Sequence, residues 1–275
     1  MTISKPCVYK GQSLIQHTEG VLSYVERALK SGYHETVQRR LKAVGIDAAS
    51  EEIAWHIRVA GVLHDVGKAI EAYQARYSDN CVPLKERRAG FYLHEVFSAV
   101  YLKRIFDRLG EKSDMIYLTL LAVLDHLHAM GRNLRNFKEA FTFDKTHLGG
   151  KHREIQNDIN NLIKTGGYIS DKYIPNMANY ISSRLGLNVE LLSDTLAENI
   201  SYAEIVELTE KISKVEEDST RRRKLKGYVL ILLPIVIGDN LDAYENRPSD
   251  ESTSSRAHFI EELKSALGGE SWCPP

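Results

Sequence analysis

Apolar residues recur along this chain at steps of three and four, and stretches alternating with period two are scarce, so the pattern predicts an all-α protein. In "SLIQHTEGVLSYVERAL" the residues Leu14, His17, Val21 and Val25 form one stripe. A second predicted helix, "SEEIAWHIRVAGVLHDVGKA", opens on Ser50 as N-cap over acidic residues and lines up Ile53, Ile57, Ala60 and His64. The third, "GFYLHEVFSAVYLKRIF", groups His94 with Phe97, Ser98 and Tyr101, and the fourth, "DMIYLTLLAVLDHLHAM", ends in a histidine-rich segment. A fifth begins near Tyr228 and sets Asp239 beside Leu232 and Ile235. Pro234 is expected to kink it or open a turn.

Between the fourth and fifth helices the chain is more polar and is interrupted at Gly149-Gly150 and Gly166-Gly167. Helical patches persist there in "PNMANYISSRLG" and "AENISYAEIVELTEKISKVEED". Residues of ligand type lie on both sides of this segment, so 132–226 reads as a helical insertion or lid within one compact bundle spanning 1–275. From 245 to 275 the sequence predicts a loosely ordered tail with one short helix, "HFIEELKSAL". No internal repeat is visible.

Composition narrows the class. The 43% hydrophobic content is ample for a core, and 36 basic against 37 acidic residues leave a formal net charge of -1. Any contact with a polyanion must therefore rest on local patches. Cys7, Cys81 and Cys273 are far apart, odd in number and form no CxxC pair, which fits a reducing, intracellular setting and argues against a cysteine zinc site. The N-terminus lacks an apolar signal core, and "YVLILLPIVIG" is shorter than the ~20 residues of a membrane span, so the expected location is cytoplasmic.

One oddity recurs. Single polar residues of metal-ligand type occupy core-facing positions on separate apolar helices: His17, the pair His64 and Asp65, His94, His126 or His128, and Asp239. A lone histidine of this kind is ordinarily a hydrogen-bonded core residue. Five such places on five helices would each need its own buried partner, whereas a bundle can aim imidazoles and carboxylates at one centre. His64 and Asp65 lie about 100° apart around a helix, so they reach one metal only near a helix end, or diverge to two. Lys68, one turn after His64, either sets its ammonium where a phosphate oxygen would bind or is a solvated cation at a helix end.

The ordered set "QHTEGV", "GVLHDVGKA", "LHEVFSAVYL", "LDHLHAMGR" and "IGDNLDA" resembles the HD phosphohydrolase superfamily of α-helical metal enzymes. Within it the motifs are most similar to the HD nuclease of type I CRISPR-associated systems, in the form that stands as a separate chain from its helicase. No Walker-type GxxxxGK[ST] is present, in keeping with the stand-alone form. The resemblance implies metal ligation by His17, His64, Asp65, His94, His126 and Asp239, electrophilic assistance by Lys68 and a hydrogen-bonding role near the substrate for Ser98. The family has adjacent histidines at the fourth motif, where this chain reads Asp125-His126-Leu127-His128. That spacing leaves His128 as a substitute ligand and bears on whether one ion binds or two.

The implied activity is metal-assisted hydrolysis of DNA phosphodiester bonds, with Asp65 bridging two divalent ions or anchoring one. Manganese, iron, nickel or cobalt suit the donor set, and magnesium would serve if carboxylates dominate. Basic clusters at "KERR", "RNLRNFK" and "RRRKLK" offer phosphate contacts, Arg132 and Arg135 among them, or a docking face for a helicase subunit or effector complex. Single-stranded DNA is the expected substrate. A nucleotide or cyclic-nucleotide phosphohydrolase and a non-catalytic HD-fold binding subunit are the rival readings.

Overall fold

The computed structural model describes residues 5–85, 90–126, 150–217 and 227–246. Within them the chain is α-helical apart from one small hairpin, as the apolar spacing predicts. Strands β1 (Cys7–Tyr9) and β2 (Gln12–Ser13) pair antiparallel, with Cys7 opposite Ser13. The hairpin leads directly into α1 (Leu14–Lys30). There the Ser13 hydroxyl accepts from the Gln16 N–H and the Gln16 side chain accepts from the Ser13 N–H, a capping box that fixes the start of the helix.

Two helices lie between α1 and the His64-Asp65 pair. Helix α2 (Tyr33–Ala43) was not evident in the periodicity because it buries only Val37 and Leu41. Helix α3 (Ser50–Leu63) contains Ser50 as its first residue, so the cap position falls to Ala49, which makes no side-chain cap bond. Glu51 and Glu52 in the first turn favour that helix end electrostatically. The helix also stops earlier than predicted, at Leu63, and is followed by a 3-10 turn at Val66–Ala69 and the single-turn α4 (Glu71–Gln74).

Helix α5 (His94–Leu109) starts at His94 because Leu93 takes a left-handed conformation, φ 68°. It packs on the 3-10 turn and on α6 (Asp114–Asp125). Four further helices follow: α7 (Gly150–Gly166), α8 (Ile174–Leu185), α9 (Val189–Ala197) and α10 (Tyr202–Glu217). They pack on α3, α4 and α5, and their buried residues, from Ile155 to Ile212, share a core with α1, α3, α5 and α6. Arg104 of α5 secures this side by pairing with Glu204 and donating to the carbonyls of Glu198 and Asn199.

Helix α11 (Tyr228–Asn246) closes the bundle against α1, α3 and α6. It continues through Pro234 rather than opening a turn. Proline has no N–H to bond the carbonyl four residues earlier, and that carbonyl, on Leu230, accepts from the Tyr33 hydroxyl instead at 2.9 Å. The cysteines also depart from expectation: Cys7 and Cys81, separated by 74 positions, form a disulfide. The hairpin lies along the segment after α4, where Gly11 N–H donates to the Cys81 carbonyl, so distance in sequence did not keep the thiols apart. Of the predicted loose tail 245–275, Glu245 and Asn246 instead form the last residues of α11, and 247 onward lies outside the described residues.

Candidate metal centre

The end of α3 resolves the geometric problem of an adjacent His-Asp pair. His64 caps the helix while Asp65, at φ -111° and ψ 4°, has already left it, so the two side chains turn toward one point. His64 Nε2 lies 3.4 Å from Asp65 Oδ2. The 3-10 turn that follows is pressed against α5 at Gly67. A Cβ there would fall 2.2 Å from the His94 carbonyl and 2.7 Å from the Ser98 nitrogen, so only glycine allows the approach. Ser98 is fully buried and its hydroxyl accepts from the Gly67 N–H at 2.8 Å, which places it as a brace for this contact.

Around Asp65 the other candidates converge from separate helices. His17 of α1 brings Nε2 to 3.1 Å from Asp65 Oδ2 and 3.2 Å from Asp239 Oδ1 of α11. His94 of α5 and His126, at the end of α6, bring Nε2 to 2.8 and 3.4 Å from Asp65 Oδ1. Two groups of ligand atoms result, each within 4.8 Å: His17, His64, Asp65 and Asp239, and Asp65, His94 and His126. Asp65 belongs to both. Asp125 turns away from the cluster and accepts from the Tyr228 hydroxyl at 2.5 Å. His128, Arg132 and Arg135 lie outside the described residues.

Whether these residues fit a cation is decided by their outer nitrogens. Nδ1 of His64, His94 and His126 faces the carbonyls of Gly61, Phe91 and Val123 at 2.8, 2.5 and 2.6 Å. A carbonyl can only accept, so each Nδ1 carries the proton and each Nε2 presents a lone pair inward. His17 Nδ1 donates to a carboxylate, Asp242 Oδ2, at 2.6 Å. The Nε2 atoms of His94 and His126 are thus only 3.2 Å apart with lone pairs facing, and His17 Nε2, His64 Nε2 and Asp65 Oδ1 are buried without hydrogen bonds. Such an arrangement is repulsive unless positive charge sits inside it, and a divalent metal would supply that charge.

The titration behaviour agrees. Burial opposes charge on His17, but the carboxylates of Asp239, Asp242 and Asp65 gathered around its ring outweigh it and hold the imidazole well above its usual value. Burial likewise opposes the Asp65 anion, yet Lys68, His64 and His94 keep its carboxyl well below the carboxylate range. Asp239 is lowered against burial chiefly by His17. His94 is pushed down by burial and by Lys68, whereas His126 is raised against burial by Asp65. The pocket between Asp65 and Asp239 therefore favours positive charge, whether proton or metal carries it.

Lys68 is no solvated cation. It is 4% exposed, its Nζ lies 2.5 Å from Asp65 Oδ2, and the rings of Tyr9 and Phe91 flank it at 5.4 and 5.6 Å. Burial works against its charge, but Asp65, Tyr9 and Asp239 raise its pKa above the ordinary lysine value. The residue that sequence reasoning missed is Asp242. It belongs to the same "IGDNLDA" stretch as Asp239, three positions further along one helix, and that spacing was the available signal.

An all-α bundle holding histidines and aspartates around an adjacent His-Asp pair defines the class, and a family model described as "HD domain" matches residues 14–161. Relatives extend the match over nearly the whole chain. A "CRISPR-associated endonuclease Cas3-HD" from Saccharolobus solfataricus is 30% identical over 272 residues, covering 97% of this chain and 98% of the relative. One of the same name from Methanocaldococcus jannaschii is 25% identical, over 96% and 97%. The chain belongs to the HD-domain family and, within it, to the CRISPR-associated Cas3-HD proteins, as its five motifs indicated. The solved structure of the CRISPR-associated Cas3 HD domain protein of M. jannaschii shares the fold, with a TM-score of 0.54 at 21% identity, covering 84% of this chain and 98% of that one. Among the described residues no helix is long and apolar enough to cross a membrane.

Proposed function

We propose that this protein is a metal-dependent nuclease that hydrolyses DNA phosphodiester bonds in the cytoplasm during CRISPR interference, acting with a separate helicase subunit and an effector complex. The observation that carries the reading is the convergence of four Nε2 lone pairs on the Asp65 and Asp239 carboxylates, with every Nδ1 tied outward. His17, His64, Asp65 and Asp239 would hold one divalent ion, and Asp65, His94 and His126 a second. This donor set suits manganese, iron, nickel or cobalt better than magnesium. Ions bound there supply Lewis acidity and make water an effective nucleophile at neutral pH.

The chain's own residues do the remaining work. Asp65 turns Oδ2 toward His17 and Oδ1 toward His94, so its one carboxylate would serve both halves of the centre. Lys68 keeps its ammonium protonated against Asp65 Oδ2, where it would meet negative charge growing on phosphoryl oxygens. Tyr9 and Phe91 shield that ammonium from water on two sides. Ser98 acts through Gly67 by holding the turn that carries Asp65 and Lys68. Arg132 and Arg135 are assigned to the phosphate backbone of a single strand.

Chelator-treated protein should cleave single-stranded DNA only after Mn2+, Ni2+ or Co2+ is restored. Cleavage that persists without metal overturns the reading. Hydrolysis of free or cyclic nucleotides in preference to DNA assigns the centre to a nucleotide phosphohydrolase, and metal binding without turnover of any phosphodiester assigns it to a binding subunit.

A further inference from the structure

The two halves of the centre are not supported alike. Three of the four inward-facing histidines are held from behind by neutral carbonyls. Among the four, only His17 makes its Nδ1 hydrogen bond to a carboxylate, that of Asp242. His94 has Glu95 Oε2 at 3.5 Å, but its Nδ1 hydrogen bond goes to the Phe91 carbonyl at 2.5 Å.

Asp242 is itself firmly placed. It is 2% exposed, its Oδ2 accepts from Gln12 Nε2 at 3.0 Å as well as from His17, and its Oδ1 accepts from Asn246 Nδ2 at 2.9 Å. Helix α1 makes room for it with Gly20, where a Cβ would lie 1.8 Å from Oδ1. Three elements, the hairpin, α1 and α11, thus build one seat for a carboxylate that touches no inward-facing ligand atom. An anion bonded to the outer nitrogen fixes the imidazole tautomer and makes Nε2 a stronger donor. The same half already contains a second carboxylate, Asp239, whereas the His94–His126 half has only its share of Asp65.

We propose that Asp242 is a positioning residue that makes the His17–His64–Asp65–Asp239 half the tighter of the two metal sites, so that the centre fills in order, this half first. The inference rests on the metal centre proposed above, and concerns the ranking of its halves rather than the reaction. Removing the charge behind His17 should weaken one site and leave the other alone. A residue with a merely structural role would, on removal, weaken both together.

The test is a calorimetric titration of chelator-treated full-length protein with Mn2+ alone, comparing wild type with Asp242→Asn. Wild type should bind one ion tightly and one weakly. In the variant the tight step should weaken by about 10- to 100-fold while the weak step is unchanged. A second readout needs no metal: in long-range 1H–15N spectra of histidine-labelled protein, His17 Nδ1 should stay protonated and hydrogen-bonded in wild type, whatever Nε2 carries, and lose that fixed state in the variant. Where Asp242→Asn does not fold, Gln12→Ala, which removes one clamp on Oδ2 from outside the centre, should give a smaller loss confined to the tight step. A tight step unchanged in the folded variants, or both steps weakened equally, overturns the proposal. Wild-type protein that binds no Mn2+ overturns the metal centre itself and with it this ranking.

Discussion

Helix α3 carries two buried histidines with opposite meanings. His56, on its middle turns, is 1% exposed, lies 5.0 Å from the Trp55 ring and 5.5 Å from Phe106, and points Nδ1 at the Thr119 hydroxyl at 2.8 Å. That hydroxyl donates to the Met115 carbonyl, so it accepts from His56 and the local bonding is closed. His64, at the end of the same helix, spends Nδ1 on Gly61 and leaves Nε2 unbonded toward two carboxylates and two more imidazoles. Burial is alike at the two places, one mid-helix and the other at the helix end. What separates a core histidine from a ligand is where its second nitrogen looks.

The sharpest way to break this contrast is to remove the shared carboxylate. Asp65→Ala should abolish binding at both halves and reduce DNA cleavage by at least about a thousandfold, measured with saturating Mn2+. Full activity in that variant would mean the converging nitrogens have another purpose. Next in size, His94→Ala should lower the stoichiometry from two ions to one and slow cleavage by about a hundredfold, with the His17 half still occupied by metal analysis.

Two smaller effects probe the other histidine. Burial pushes His56 down to about 4 from its ordinary 6.5, so the unfolded chain takes up a proton that the folded one refuses. Stability is therefore undiminished by this group above pH 6.5 and falls as pH drops toward 4, the loss reaching about 2 kcal/mol at pH 5. Urea unfolding of wild type and His56→Leu at pH 7 and pH 5 isolates it: the variant should be relatively more stable at the lower pH. At pH 7 the same substitution should shift stability by less than about 1 kcal/mol and leave Mn2+ binding intact, because Thr119 keeps its bond to Met115. Lost metal binding in His56→Leu would erase the distinction between the two sites.

The sequence exposes what local periodicity controls. Helices α1, α3, α5, α6 and α11 announce themselves because apolar stripes run their length, and the intruding His17, His64, His94 and Asp239 stand out against those stripes. Helix α2 was hidden by its thin stripe. Helix α7 sat unread between the two glycine pairs that bracket it. Asp242 escaped notice because its partners, Gln12, His17 and Gly20, lie more than two hundred positions away and meet it only when α1 packs on α11. For the same reason the continuity of α11 through Pro234 could not be foreseen, since it depends on a hydroxyl from α2. Pairing of Cys7 with Cys81 likewise follows from tertiary packing rather than spacing.

That disulfide has a topological result. It converts residues 7 to 81 into a covalent ring containing His17, His64, Asp65 and Lys68, while His94, His126 and Asp239 reach inward from outside it. A protease that nicks the chain once anywhere inside the ring cannot release either fragment, because the two pieces stay joined through sulfur. The nick would show on a denaturing gel as separate fragments only after a reductant is added, and until then the cut chain would still carry all of these side chains on one molecule.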